Sequence, residues 1–199
     1  RILVTGGGGY IGSNVLVELA KKNKVLTVFD NLSNSSLNSL NKVSELIGSE
    51  IDFIKGDIRS ESDLAHLFLR RKFDGVVHMA GLKAVESSIS DPLHYYENNV
   101  IGTLNLLKQM KKNNVCSIVF SSSATVYGTP KNLPISEGCK LNATTNPYGT
   151  SKLMVEQILR DLWKSESSWN IIILRYFNPL GAHPSGFLGE NPPKKPFNI

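Results

Sequence analysis

Short runs rich in β-branched residues alternate with longer amphipathic stretches along most of this chain, and that alternation leaves few architectures open. The strand candidates are Ile2–Thr5, Val25–Phe29, Ile51–Lys55, Gly75–His78, Ser117–Ser121 and Asn170–Arg175. Helical patterns lie between them near Gly12–Lys21, Leu37–Ile47, Glu61–Arg70, Pro92–Asn113 and Pro147–Ser165. Strands joined by crossover helices predict an α/β fold with a doubly wound parallel sheet. Right-handed crossovers then bring the C-terminal strand ends to one ligand-facing edge.

The pattern stops after Arg175. Asn178–Gly186 and Pro192–Pro196 are turn-rich and hold few periodic apolar residues, as expected at the exit from a sheet domain. A length of 199 residues suits one domain, or one domain and the start of another. With 41% hydrophobic and 20% charged residues the chain can bury an ordinary core rather than stay disordered. It opens directly in a strand-like run, so its first residues are expected to have been trimmed. No apolar run is long enough to span a membrane. The net charge of +5 is spread along the chain without aromatic support, which argues against a nucleic-acid partner. Cys116 and Cys139 give neither a disulfide framework nor metal spacing, and suggest a reducing, cytoplasmic setting. His66, His78, His94 and His183 are scattered, so no metal site is expected.

Thr5-Gly6-Gly7-Gly8-Gly9-Tyr10-Ile11-Gly12 follows the first strand and opens a helix. Gly6, Gly9 and Gly12 are spaced G-x-x-G-x-x-G, a side-chain-free turn whose N–H groups can approach a pyrophosphate at a helix N-terminus. Asp30 ends the second strand 18 residues after Gly12. A carboxylate there can accept the ribose hydroxyls of adenosine and repels the extra phosphate of NADP, so the cofactor expected is NAD. Asp57, after the third strand, is placed to meet the adenine edge, although Gly56-Asp57 is also a common turn pair.

Tyr148 and Lys152 stand at i and i+4 on a helix that Asn146-Pro147 can start, and so share a face. Half-ionising a phenol near pH 7 takes a shift of about three units, or about 4 kcal/mol. The Lys152 ammonium and a positive nicotinamide ring have the sign to supply it. The run Ser121–Gly128 ends the fifth strand on the ligand-facing edge, where Ser123 is the serine expected to bond both a substrate alcohol and the phenol.

Six runs carry a resemblance to a known family: Thr5–Gly12, Asp30–Ser35, His78–Val85, Ser121–Gly128, Pro147–Lys152 and Arg175–Pro179. In order and spacing the chain resembles the UDP-galactose 4-epimerases, extended short-chain dehydrogenases that bind NAD in a Rossmann domain. The resemblance implies cofactor contacts from Gly6, Gly9, Tyr10, Ile11, Gly12, Asp30, Asn31, Leu32, Ser33, Asn34, Ser35, Asp57, Ile58, Met79, Ala80, Gly81, Leu82, Lys83, Asn98 and Phe177. It implies Tyr148 as catalytic base, Lys152 as its electrostatic partner and Ser123 as hydroxyl relay, all three also touching NAD. Lys83, Ser123, Tyr148, Asn178 and Asn198 would contact the UDP-sugar. It further implies an NAD-binding domain over 1–177, the incomplete start of a UDP-sugar domain over 178–199, and a homodimer through Pro92–Asn113 and Pro147–Ser165. The piece is expected to bind NAD but to epimerise poorly.

Related 4,6-dehydratases carry Thr-Asp-Glu where this chain has Ser123-Ala124-Thr125, so the acid and base of water elimination are missing. A UDP-glucuronate 4-epimerase or decarboxylase using the same trio stays open, as does a non-catalytic NAD sensor or scaffold.

Overall fold

The computed structural model describes residues 1–130, 132–141 and 143–190. Six strands form one parallel sheet: β1 (Ile2–Thr5), β2 (Leu26–Asp30), β3 (Asp52–Lys55), β4 (Gly75–His78), β5 (Ser117–Ser123) and β6 (Asn170–Tyr176). Their order is β3-β2-β1-β4-β5-β6. The winding reverses between β1 and β4, so the loops leaving these neighbours diverge and open a crevice at the strand C-termini.

Helices α1 (Tyr10–Lys21) and α2 (Leu37–Ile47) cover one face, where Leu16, Val17, Leu40 and Val43 pack on Val4 and Val28. Helices α3 (Glu61–Arg70), α6 (Gly102–Lys112) and α7 (Pro147–Ser165) cover the other. There Leu67, Leu106, Val155 and Leu159 pack with Leu3, Val76, Ile118 and Phe120. Each such side chain contributes about 1.5–3 kcal/mol on burial. β2, enclosed on both faces, is buried at every position, including Thr27 and Asp30, as suits an inner strand of a parallel sheet.

The covering is uneven. Val77, Val119 and Ile172 are neighbours in register on the α1 side of the sheet; Val77 packs against the α1 and α2 core, whereas Val119 and Ile172 lie outside it. They line a groove of about 570 Å³ with Trp163, and Ile172 is 56% exposed.

Four helices fall where the sequence pattern predicts them, with α1 starting two residues early at Tyr10. The predicted Pro92–Asn113 helix is instead α5 (Pro92–Tyr96), a π-helical turn over Glu97–Ile101, and α6. The wider turn accommodates one extra residue, and both Asn98 and Asn99 are buried there. A short α4 (Val85–Ser90) was not predicted, since Val-Glu-Ser-Ser-Ile-Ser shows almost no apolar periodicity. β5 runs two residues further than expected because Ser122 and Ser123 pair with Arg175 and Tyr176 on β6. β2 and β3 each begin one residue late, β2 extends to Asp30, and β6 reaches Tyr176.

Candidate active site

The turn between β1 and α1 has no room for a side chain at Gly6 or Gly12. Gly6 has φ +71°, and a Cβ there would lie 2.5 Å from the Ala80 backbone nitrogen. One at Gly12 would meet the Gly6 carbonyl oxygen at 2.3 Å. Gly9 caps α1 without a side chain, so the helix's leading N–H groups remain available to an anion. Asp30 sits beside this turn, 7% exposed. Its Oδ2 accepts the Gly8 N–H at 3.0 Å, and its Oδ1 accepts the Leu32 N–H and the Ser35 hydroxyl, each at 2.9 Å. The carboxylate is thus fixed, and its remaining lone pairs can still accept ligand hydroxyls.

Beside Asp30, Asn31 Nδ2 donates to Asp57 at 3.0 Å and Asn31 Oδ1 accepts the Ser33 N–H at 2.9 Å. Arg59 grips Asp57 through Nε and a terminal nitrogen, the latter at 2.7 Å. That hydrogen bonding outweighs partial burial and holds the Asp57 carboxyl down at about 2. Ile58 is different: its side chain is buried in the core against Gly102, leaving only its backbone for a ligand. Ser33 and Asn34 are exposed on the rim.

Across the crevice, the loop after β4 is fastened by Asn99. Its Oδ1 accepts the Leu82 N–H at 2.8 Å and the Asn98 amide at 3.0 Å. Its Nδ2 donates to the Leu82 carbonyl and to Ser151 Oγ, both at 3.0 Å. Met79, Ala80, Gly81 and Leu82 are thereby held against both the glycine turn and α7. At the strand end, His78 is 1% exposed between two threonines. Thr103 Oγ1 already donates to the Asn99 carbonyl, so it accepts from His78 Nε2 at 2.8 Å, and His78 Nδ1 accepts from Thr5 at 2.6 Å. Burial, with the nearby Lys152 charge, pulls this imidazole down to about 3 and keeps it neutral.

Ser123, Tyr148 and Lys152 meet on the same side of the crevice. Asn146 caps α7 by accepting the Gly149 N–H at 2.8 Å, which sets the first turn on which Tyr148 stands. Lys152 is 5% exposed, and its Nζ donates to the Ser121 carbonyl at 2.8 Å. Burial pulls its ammonium down to about 8. A Cβ at Gly81 would come within 3.2 Å of this Nζ, so the lysine head lies beside the β4 loop. Ser123 Oγ accepts from the Thr125 N–H at 3.2 Å and its hydroxyl at 3.0 Å, which leaves the Ser123 proton free for Tyr148. The other serines have separate duties: Ser121 offers its carbonyl to Lys152, and Ser122 donates to Glu156 at 2.6 Å.

Burial pushes the Tyr148 phenol up, opposed by the Ser123 hydroxyl. Lys152 keeps two further N–H donors after its bond to the Ser121 carbonyl, and its charge stays beside the β4 loop.

Beyond β6 the chain turns back over α1. Tyr10 donates to the Gly181 carbonyl, Leu188 is buried among the α1 and α2 side chains, and Lys83 pairs with Glu190. Phe177 and Asn178 are exposed, and Asn198 lies outside the described residues. Among the described residues no group of three or more His, Cys, Asp or Glu side chains can hold a metal ion. Sequence reasoning missed Arg59, Asn99, Ser151 and Glu156. Adjacent asparagines inside a helical stretch were the available signal for Asn99; Glu156, four residues after Lys152, gave none.

The glycine cradle, the unencumbered α1 N-terminus and the fixed Asp30 fit a dinucleotide, and comparison with known proteins agrees. The chain is 54% identical over 198 residues to UDP-glucose 4-epimerase from Pasteurella multocida, matching 100% of this chain and 59% of that protein. It is 51% identical to the enzyme of the same name from Bacillus subtilis, again over 100% of this chain and 58% of that protein. Among solved structures, UDP-glucose 4-epimerase from Bifidobacterium longum in complex with NAD+ and UDP superposes with TM-score 0.96 at 51% identity, covering 99% of this chain and 59% of that one. The chain thus spans somewhat less than two thirds of these relatives. Residues 2–194 match the NAD dependent epimerase/dehydratase family, and the chain belongs to that family.

Proposed function

We propose that this chain carries the NAD-binding and proton-transfer half of a UDP-glucose 4-epimerase, which interconverts UDP-glucose and UDP-galactose through a 4-keto sugar. The observation that carries the reading is the convergence of Ser123, Tyr148 and Lys152 beside the β4 loop, across the crevice from the glycine turn. The turn after Ser123 holds no carboxylate, which argues against water elimination.

Gly6, Gly9 and Gly12 admit the pyrophosphate, Asp30 accepts the adenosine ribose hydroxyls, and Asn31 and Asp57 border the adenine. Bound NAD supplies a reversible hydride acceptor and a positive ring. Tyr148 takes the proton of the sugar 4-hydroxyl, directly or through Ser123, and later returns it. Since burial raises its phenol in this site, the shift to a working base falls to the Lys152 charge and ligand charge together with the Ser123 bond. Lys152 orients the nicotinamide ribose from its place between Ser121 and Gly81. With the cofactor bound, the C4 hydride would be accepted and, once the 4-keto sugar has turned, given back to the opposite face of C4 while Tyr148 returns the proton to O4, so that no net redox would occur.

Residues 178–199 then begin the UDP-sugar domain, with Lys83, Asn178 and Asn198 meeting the nucleotide-sugar. The reading includes a cytoplasmic role in galactose metabolism, where Cys116 and Cys139 stay free thiols. It also includes a homodimer, for which the exposed Leu93, Ile101 and Met154 on the two candidate helices are apolar contact points.

The test is to load the protein with NAD and add UDP-galactose, with UDP-glucuronate as a parallel arm. Bound NADH should form with UDP-galactose in a single turnover, while repeated epimerisation by residues 1–199 stays slow. Tyr148→Phe should slow NADH formation by about 10² to 10⁴. A rate within about threefold of the parent would remove Tyr148 from the mechanism, and reduction by UDP-glucuronate alone would reassign the substrate.

A further inference from the structure

Two side chains in the runs that carry the family resemblance have no part in the chemistry above: Tyr127 and Arg175. Nor does Glu156, which is buried on α7 one turn beyond Lys152. They form one cluster. Arg175 stands on β6 opposite Ser122, with its side chain 12% exposed. Its Nε and one terminal nitrogen fork onto the two Glu156 oxygens at 2.9 and 2.8 Å. Its other terminal nitrogen donates to the Tyr127 hydroxyl at 2.8 Å, and the guanidinium lies 4.9 Å from the Tyr127 ring centre.

Glu156 itself is over-supplied. It also accepts from Ser122 at 2.6 Å and from Arg160 at 2.7 Å. Burial alone would raise this carboxyl, but the bonds from Arg175, Ser122 and Arg160 outweigh it. Arg160 already compensates the charge, so neutrality does not explain why Arg175 also reaches across to Tyr127. That third contact points to the element carrying Tyr127, the single 3₁₀ turn Ala124–Tyr127 that follows Ser123 directly.

This turn touches the reacting pair at both ends. Ser123 Oγ caps it by accepting from Thr125, so the tilt of the turn sets the direction left to the Ser123 proton. On the other side, a Cβ at Gly149 would lie 3.1 Å from the Thr125 carbonyl oxygen, so turn and α7 are in backbone contact right beside Tyr148. Nothing soft separates Tyr127 from the hydroxyl pair.

We propose that Arg175 is a positioning residue for the Ser123–Tyr148 pair, acting through the Tyr127 turn and held in aim by Glu156. The inference rests on the reading of Tyr148 as base and Ser123 as relay. A lysine at 175 would keep the charge but lose both the fork and the stacking plane.

The experiment compares the parent with Arg175→Lys and Tyr127→Phe, neither of which changes the charge. Each protein is paired with its own Tyr148→Phe counterpart, so that difference absorbance on raising the pH reports the ionisation midpoint of Tyr148 alone. The other titratable groups near that phenol, Lys152 on α7 and Tyr95 on α5, stay in place. With Ser123 mis-aimed, its lowering influence on the phenol is lost, and the midpoint should rise by about one unit in Arg175→Lys. Tyr127→Phe should give a smaller rise with a melting temperature within about 4 °C of the parent. Single-turnover reduction of bound NAD by UDP-galactose should slow about tenfold in Arg175→Lys, at an unchanged half-saturating sugar concentration. An unmoved midpoint in both variants overturns the proposal, and so does a raised midpoint with an unaltered reduction rate, which would leave Arg175 a purely structural residue. If the parent does not reduce NAD at all, the epimerase reading fails, while the substrate-free midpoints still decide whether Arg175 positions the pair.

Discussion

Asp30 and His78 show how much of a residue's behaviour is settled by what surrounds it. Asp30 is held by three donors before any ligand arrives, so its carboxylate is pre-aimed and little ordering remains on binding. Asp30→Ala should therefore weaken NAD binding about tenfold or more by calorimetry, the loss of at least one charge-assisted bond. Unchanged affinity would remove Asp30 from the site. His78 predicts a pH dependence. The unfolded chain takes up its proton below the ordinary value of 6.5, whereas the folded protein resists it down to about 3. His78 thus has no effect on stability above about pH 6.5, and stability is progressively lost as pH falls from there toward about 3. Between about pH 6.5 and about pH 5 the loss is roughly 2 kcal/mol. Urea unfolding at both pH values checks this, and His78→Gln should flatten that part of the profile whatever its absolute stability.

At the scale of elements, the π-helical turn is the device that closes the crevice on the β4 side. It buries both Asn98 and Asn99, and Asn99 then ties the Leu82 backbone to Ser151 on α7. Asn99→Ala removes four hydrogen bonds and leaves the Leu82 N–H and carbonyl without their partner. A loss of about 1–3 kcal/mol is expected in denaturant unfolding, with faster amide exchange over the loop after β4. The periodicity of Pro92–Asn113 announced a helix but not its local widening, because one inserted residue changes the face of only a few side chains. α4 was illegible for another reason: six residues are too few for periodicity to register.

For the whole molecule, the uneven covering of the sheet has a physical consequence. Among the residues that line the groove, Val77, Val119 and Ile172 present apolar surface that attracts other apolar surface. Ile172→Lys should raise the concentration at which the protein stays monodisperse by light scattering, with the melting temperature within about 4 °C of the parent. A large fall in melting temperature would mean that Ile172 is packed more tightly than its 56% exposure indicates.

The amino-acid sequence by itself determined the strand–helix alternation, the parallel sheet and its ligand-facing edge. It also specified the glycine turn and the place of Asp30 at the end of β2, and marked Ser123 as a candidate among its neighbouring serines. These are local properties: periodicity, β-branching, conformational freedom at glycine, and side chains one helical turn apart. Only the tertiary structure decided that Lys152 donates to the Ser121 carbonyl, that burial raises Tyr148, and that Arg59 fixes Asp57. It alone brought Arg175, Glu156 and Tyr127 together from β6, α7 and the turn between them. The reason is physical: desolvation and hydrogen-bond competition depend on which distant segments share a volume, and spacing along the chain carries no record of that.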